Sequence, residues 1–178
     1  MRIRTTHKEF IFLNDKSVLT PSLKQVLAYV EECTGASLIE NYEVFFKVKS
    51  IATELLTNSF KHSHAHTVNL VVDIDSDKLI IQKYDSGPPV KFGKPGLCNG
   101  KKQISYDIMC RLFANYHDEY NVSFAIEECT DDELPDIENL TEHFGLLIIT
   151  KCADDFIYHY DDENKLNLFT AKINLPAN

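Results

Sequence analysis

Apolar side chains recur along this chain with two different spacings, and the switches between them mark out its elements. "KEFIFLN" (8–14) mixes β-branched and aromatic residues and predicts a first strand. In "TPSLKQVLAYVEECTG" (20–35), Leu23, Val26, Leu27 and Val30 recur at helical spacing. Thr20 suits the cap, Pro21 the first turn and Gly35 the exit, so an amphipathic helix is predicted. A second helix is predicted from about Tyr42 to about His62, with Phe45, Val48, Ala52, Leu55, Leu56 and Phe60 as its apolar set. "TVNLVVDI" and "KLIIQKYD" alternate like strands and are split by "DSD", a hairpin signal. A poorly patterned stretch follows, rich in Pro and Gly at first, and "ISYDIMCRLFANY" (104–116) predicts a helix inside it. "YNVSFAIEE" reads as a strand, "FGLLIITKCADD" (144–155) as a helix entered through Gly145, and "FIYHYDD" with "KLNLFTAKINL" as a closing hairpin.

This order predicts an α/β (α+β) fold: a two-layer sandwich whose mixed, mostly antiparallel sheet is covered on one face by helices. The 178 residues suit one domain, 1–178, with one insertion at about 88–144. No apolar run approaches the roughly 20 residues that cross a bilayer, and "MRIRTTHKEF" lacks the apolar centre of a signal peptide. The expectation is a soluble cytoplasmic protein.

Charge and cysteines narrow the partners. The net charge is -9, yet the segment 127–142, "EECTDDELPDIENLTE", carries eight acidic residues and no Lys or Arg. The rest of the chain is close to neutral, which argues against a nucleic-acid surface with its basic face. The acidic run itself reads as a solvated loop or as a docking surface for a basic partner. Cys33, Cys98, Cys110, Cys129 and Cys152 form no C-x-x-C pair, so reduced thiols are expected rather than a disulfide framework or zinc knuckle.

Candidate chemistry lies on the second predicted helix and beyond it. Glu54 and Asn58 are spaced i,i+4 and share one helical face, which Lys61 or His62 continues. A carboxylate, an amide and a cation in line can bind a ligand, although polar residues on an exposed helix face are also the rule. The strand "LIIQKYDSGPP" ends in Asp85-Ser86-Gly87, where an aspartate can accept from a ligand amino group and a glycine allows close approach. A plain Asp-Ser-Gly turn is the alternative. Gly145 stands where a helix N-terminus would offer backbone N–H groups to a phosphate.

In this order the three pieces resemble the GHKL ATPases. "ELLTNSFKHS" is similar to their N box, "YDSGPP" to their G1 box, and "FGLLIITKCADDFIYHYDDENKLNLFTAKI" to their final Gly-Leu helix and closing hairpin. The small size resembles the anti-sigma-factor serine kinase branch. The resemblance covers about residues 5–87 and 143–175. It implies a Bergerat-type ATP-binding fold with ATP and Mg²⁺ as cofactors. Asp85 would then bond the adenine amino group and Gly87 would let the base lie against the backbone. Asn58 would hold Mg²⁺ through its amide oxygen. Glu54 would be the general base toward a partner's serine. Lys61 or His62 would add positive charge, and Gly145 would open the helix at the triphosphate. The implied partner is a sigma factor or an anti-sigma antagonist-like protein, and a homodimer is the assembly such relatives commonly form.

The chain departs from the pattern at three places. Pro89 replaces the second G1 glycine, "EHFGL" is a reduced G2 box with His143 at a usual glycine, and the lid 88–144 spans 57 residues with its own predicted helix. These departures suit the alternative of a non-catalytic GHKL-like protein-binding module with weak or no nucleotide binding. A third reading takes His62, His64 and His66 as metal ligands on alternate positions. The triplet straddles a helix end and a loop, where that alternation need not hold.

Overall fold

A computed structural model describes residues 5–35, 41–63, 65–92, 100–129 and 143–175. Strand β1 (Thr6–Leu13) leads into helices α1 (Leu19–Thr34) and α2 (Tyr42–His62), then strands β2 (Thr67–Ile74) and β3 (Lys78–Ser86). Strands β4 (Lys101–Tyr106), β5 (Cys110–Tyr116) and β6 (Asn121–Glu128) follow. Helix α3 (Phe144–Cys152) and strands β7 (Asp155–Asp161) and β8 (Leu166–Asn174) close the chain. Among the described residues the eight strands form one sheet in the order β1-β2-β3-β8-β7-β6-β5-β4. Every neighbouring pair is antiparallel, so the expected parallel component is absent from the described sheet.

Period-2 alternation decides which face of the sheet is dry. Leu79, Ile81 and Lys83 on β3 are buried with Phe169, Ala171 and Ile173, their register partners on β8. Helix α1 contacts β1 and β2, helix α2 contacts β3 and β8, and helix α3 contacts β4, β6 and β7. From α2, Val48, Ile51, Ala52, Leu55 and Leu56 are buried in the core, each by no more than 1% exposed. Burying such an aliphatic side chain stabilises the fold by about 1.5–3 kcal/mol, so this face of α2 is fixed.

The segment 104–116 corrects the sequence reading. It holds β4, a tight turn and β5 rather than a helix. Its apolar residues fit both spacings, and Asp107 decides between them. The Asp107 carboxylate accepts hydrogen bonds from the N–H groups of Met109 and Cys110 at 2.8 and 2.9 Å, and the Asp107 N–H donates to Cys110 O at 2.8 Å. A hairpin turn results. Beyond it Cys110, Leu112 and Ala114 point inward in strict alternation. The insertion at 88–144 is therefore ordered in its middle as three strands that extend the sheet past β7. Helix α3 ends at Cys152, short of the expected Asp155, because Asp155 already begins β7 and the Asp154 N–H donates to Lys172 O at 2.8 Å. Within the acidic run, residues 130–142 lie outside the described residues, as do His64, Cys98 and 93–99 of the Pro- and Gly-rich stretch.

Candidate functional site

Helix α2 buries its apolar face against the sheet and leaves Glu54 and Asn58, one turn apart, half-buried at the border of that face. Helix α3 meets them there. A Cβ built on Gly145 would lie 2.6 Å from Glu54 Oε2 and 3.4 Å from both Asn58 Oδ1 and Nδ2. No side chain larger than hydrogen fits at residue 145 unless Glu54 moves. At the other end of α3, Ser50 hydrogen-bonds Cys152 and Lys47 lies close to it, so α2 and α3 run antiparallel. The first turn of α3 is thus set beside Glu54 and Asn58; the Leu146 and Leu147 N–H groups donate to His143 O at 3.1 and 3.3 Å, which leaves those of Phe144 and Gly145 without an intrahelical acceptor.

Neither the Glu54 carboxylate nor the Asn58 amide makes a side-chain hydrogen bond to any described residue. Burial pushes the Glu54 carboxyl above its usual range, and the positive charge of Lys61 partly opposes it. Lys61 and His62 are exposed on the last turn of α2.

Asp85 occupies a different setting at the end of β3. Its side chain is 9% exposed and forms an ion pair with Lys83. Asp85 Oδ1 also accepts from Asn167 Nδ2 at 3.1 Å, and that same amide donates to Pro88 O at 3.2 Å. Asn167 Oδ1 accepts from the Tyr158 hydroxyl at 2.7 Å, and the Tyr158 oxygen accepts from the Val90 N–H at 2.8 Å. Burial pushes the Tyr158 hydroxyl up to about 12. Lys83 is 3% exposed, with its ammonium 5.0 Å from the centre of the Phe169 ring. Burial pulls Lys83 down, and the Asp85 charge and hydrogen bond oppose that. At Gly87 a Cβ would meet Asn167 Nδ2 at an ordinary 3.6 Å, so nothing in the described structure demands a glycine there.

Phe92 links the two settings. It is buried, with ring centres 5.1 Å from Phe124, 5.2 Å from Tyr158 and 6.2 Å from His143, the residue that caps α3. Glu54, Asn58 and Gly145 therefore form one cluster, Asp85, Lys83 and Asn167 a second, and the Tyr158–Phe92–His143 chain of rings runs between them. Sequence reasoning missed Lys83, Asn167, Tyr158 and Phe92. Strand alternation carried a signal for two of them, because Lys83 and Asn167 both fall on inward positions of otherwise apolar strands.

His62 and His66 are exposed, and among the described residues no group of three His, Cys, Asp or Glu side chains is placed to hold a metal ion. Cys33, Cys110, Cys129 and Cys152 are free thiols. Among the described residues no helix is long and apolar enough to cross a membrane. The chain matches no protein-family model and no curated protein.

Proposed function

We propose that this chain is an ATP-binding regulatory protein of the GHKL kind, a two-layer Bergerat-type sandwich, acting on a partner protein as anti-sigma-factor serine kinases do. The observation that carries the reading is the pair of unspent polar side chains, Glu54 and Asn58, packed on Gly145 at the first turn of α3. An unpaired carboxylate in a half-buried position costs stability, which a binding role explains. The donor set fits a magnesium nucleotide: Asn58 offers a hard amide oxygen to the ion, and the α3 N-terminus offers N–H groups to the phosphates. Magnesium, when bound, neutralises charge that develops on the transferred phosphoryl group. Glu54, with its carboxyl raised by burial, accepts the proton of an attacking hydroxyl from the partner. Lys61 adds positive charge at the end of α2. Asp85 accepts from an adenine amino group through the lone pairs its internal bonds leave over, since a carboxylate has about four acceptor sites.

One observation favours a second reading, a non-catalytic protein-binding module of the same fold. Both Asp85 oxygens already have partners, Lys83 and Asn167, and Phe92 is packed beside the α3 cap. Thermal melting separates the two. Millimolar ATP with Mg²⁺ is expected to raise the melting temperature of the wild-type chain by mass action and to leave Asn58→Ala unmoved. A wild-type curve insensitive to nucleotide supports the protein-binding module.

A further inference from the structure

The β4–β5 turn holds a cluster that the nucleotide reading does not use, and the geometry points to a redox-active thiol pair there, Cys110 with Cys129, that closes to a disulfide under a peroxide. Register brings the two together. Cys110 pairs with Glu128 across β5 and β6, and the next residue, Cys129, donates its N–H to Met109 O at 2.9 Å. Strands about 4.8 Å apart, offset by one residue of about 3.4 Å, place the two Cα atoms about 6 Å apart, inside the span a disulfide bridges. On a regular strand, successive side chains would point to opposite faces. However, β6 ends at Glu128, and Cys129 is released from that alternation.

Both sulfurs accordingly turn to one residue. Cys110 Sγ lies 3.4 Å from Asp107 Oδ1, and Cys129 Sγ lies 3.9 Å from Asp107 O. The Lys151 ammonium, 2.5 Å from Asp107 Oδ2, also hydrogen-bonds the Cys110 sulfur. Burial pushes the Cys110 thiol up, the Lys151 ammonium opposes this, and the Asp107 carboxylate reinforces it. The division of labour follows from exposure. Cys129 is half-buried and meets the oxidant, whereas Cys110 is buried and resolves.

The chemistry balances with hydrogen peroxide as oxidant. The Cys129 thiolate attacks one peroxide oxygen, an S–O bond forms, the O–O bond breaks, and the departing hydroxide takes a proton to leave as water. The Cys110 thiolate attacks the resulting sulfenic sulfur, an S–S bond forms, the S–O bond breaks, and a second water leaves. The two thiols lose two protons and two electrons, and peroxide takes up both.

Peptide mapping of the peroxide-treated full chain tests this without any variant. No Lys or Arg lies between Arg111 and Lys151, so trypsin puts Cys110 in peptide 103–111, Cys129 in 112–151 and Cys152 in 152–165. The expected product, after alkylation and non-reducing digestion, is 103–111 joined to 112–151 and separated again by dithiothreitol. Cys129→Ala should abolish it and Cys98→Ala should not. Alkylated Cys110 and Cys129 alongside sulfoxide at the exposed Met109 would show that oxidant reached the turn and the pair did not close. That result, or a link from Cys110 to Cys152, overturns the inference.

Discussion

Two carboxylates of this molecule, Glu54 and Asp85, sit in opposite circumstances. Asp85 is nearly buried and has a partner on each oxygen, Lys83 on one and Asn167 on the other. Glu54 is half-buried and has no hydrogen-bond partner among the described residues, yet an α-helix has been brought against it so closely that a side chain at residue 145 would displace its carboxylate. A buried charge is tolerated where a partner compensates it, and removing one partner alone is strongly destabilising. A half-buried carboxylate without a hydrogen-bond partner is a cost to the fold, which the N-terminal end of α3 partly offsets. Under the proposed function the contrast separates a structural end of the candidate site from a reactive end, although the two residues look alike in the sequence.

The largest expected effect lies at the structural end. Lys83→Ala should strip Asp85 of its counter-charge and destabilise the chain by about 3–5 kcal/mol, the usual result of breaking a buried pair, as read by urea unfolding. A Lys83→Met, Asp85→Asn double variant should recover much of that loss. A loss below about 1 kcal/mol for Lys83→Ala would show that the pair does not hold this end together.

At the reactive end the expectation reverses, with function affected more than stability. Gly145→Ala pushes a methyl group to within 2.6 Å of Glu54 Oε2. Alanine is favoured over glycine within a helix by roughly 1 kcal/mol, so the melting temperature without nucleotide should hold or rise slightly. The nucleotide-dependent rise should disappear. If it persists in Gly145→Ala, the contact between α2 and α3 is not the binding site.

The smallest effect concerns pH. The folded-state carboxyl of Glu54 is raised above its ordinary 4.5, so the folded state binds this proton more tightly than the unfolded chain does. The sign follows: stability is lost as pH rises through the ordinary value toward the folded one. Glu54→Gln removes that loss and should stabilise the chain only slightly at neutral pH, because solvent screens the half-buried carboxylate. The gain should vanish in mild acid, below the ordinary glutamate range. Equal stability of the two proteins at every pH would mean that the carboxylate is well solvated in the folded state.

The reactive end was more legible in the sequence than the structural one. The i,i+4 spacing of Glu54 and Asn58 and the helix around them follow from helical periodicity, Gly145 stood out only as a lone glycine before a helix, and the structure brings these three residues together. Asp85 was legible as a strand-end aspartate, but its partners were not. Asn167 lies far along the chain, and pairing of β3 with β8 alone brings it near. Lys83 stood in plain view at an inward position of an apolar strand, the pattern of a buried cation that must find an anion. The segment 104–116 was misread because its apolar residues satisfy both spacings. The choice rested on one side chain, Asp107, whose carboxylate closes the turn through bonds that periodicity does not register.

If Glu54 and Asn58, which have no hydrogen-bond partner among the described residues, bind a magnesium nucleotide as proposed, calorimetric titration of ATP with Mg²⁺ reads it most directly. The wild-type chain should give a saturable heat that Asn58→Ala loses, while Asn58→Ala keeps its folded far-ultraviolet spectrum. No saturable heat up to millimolar nucleotide, or the same heat from both proteins, would contradict it.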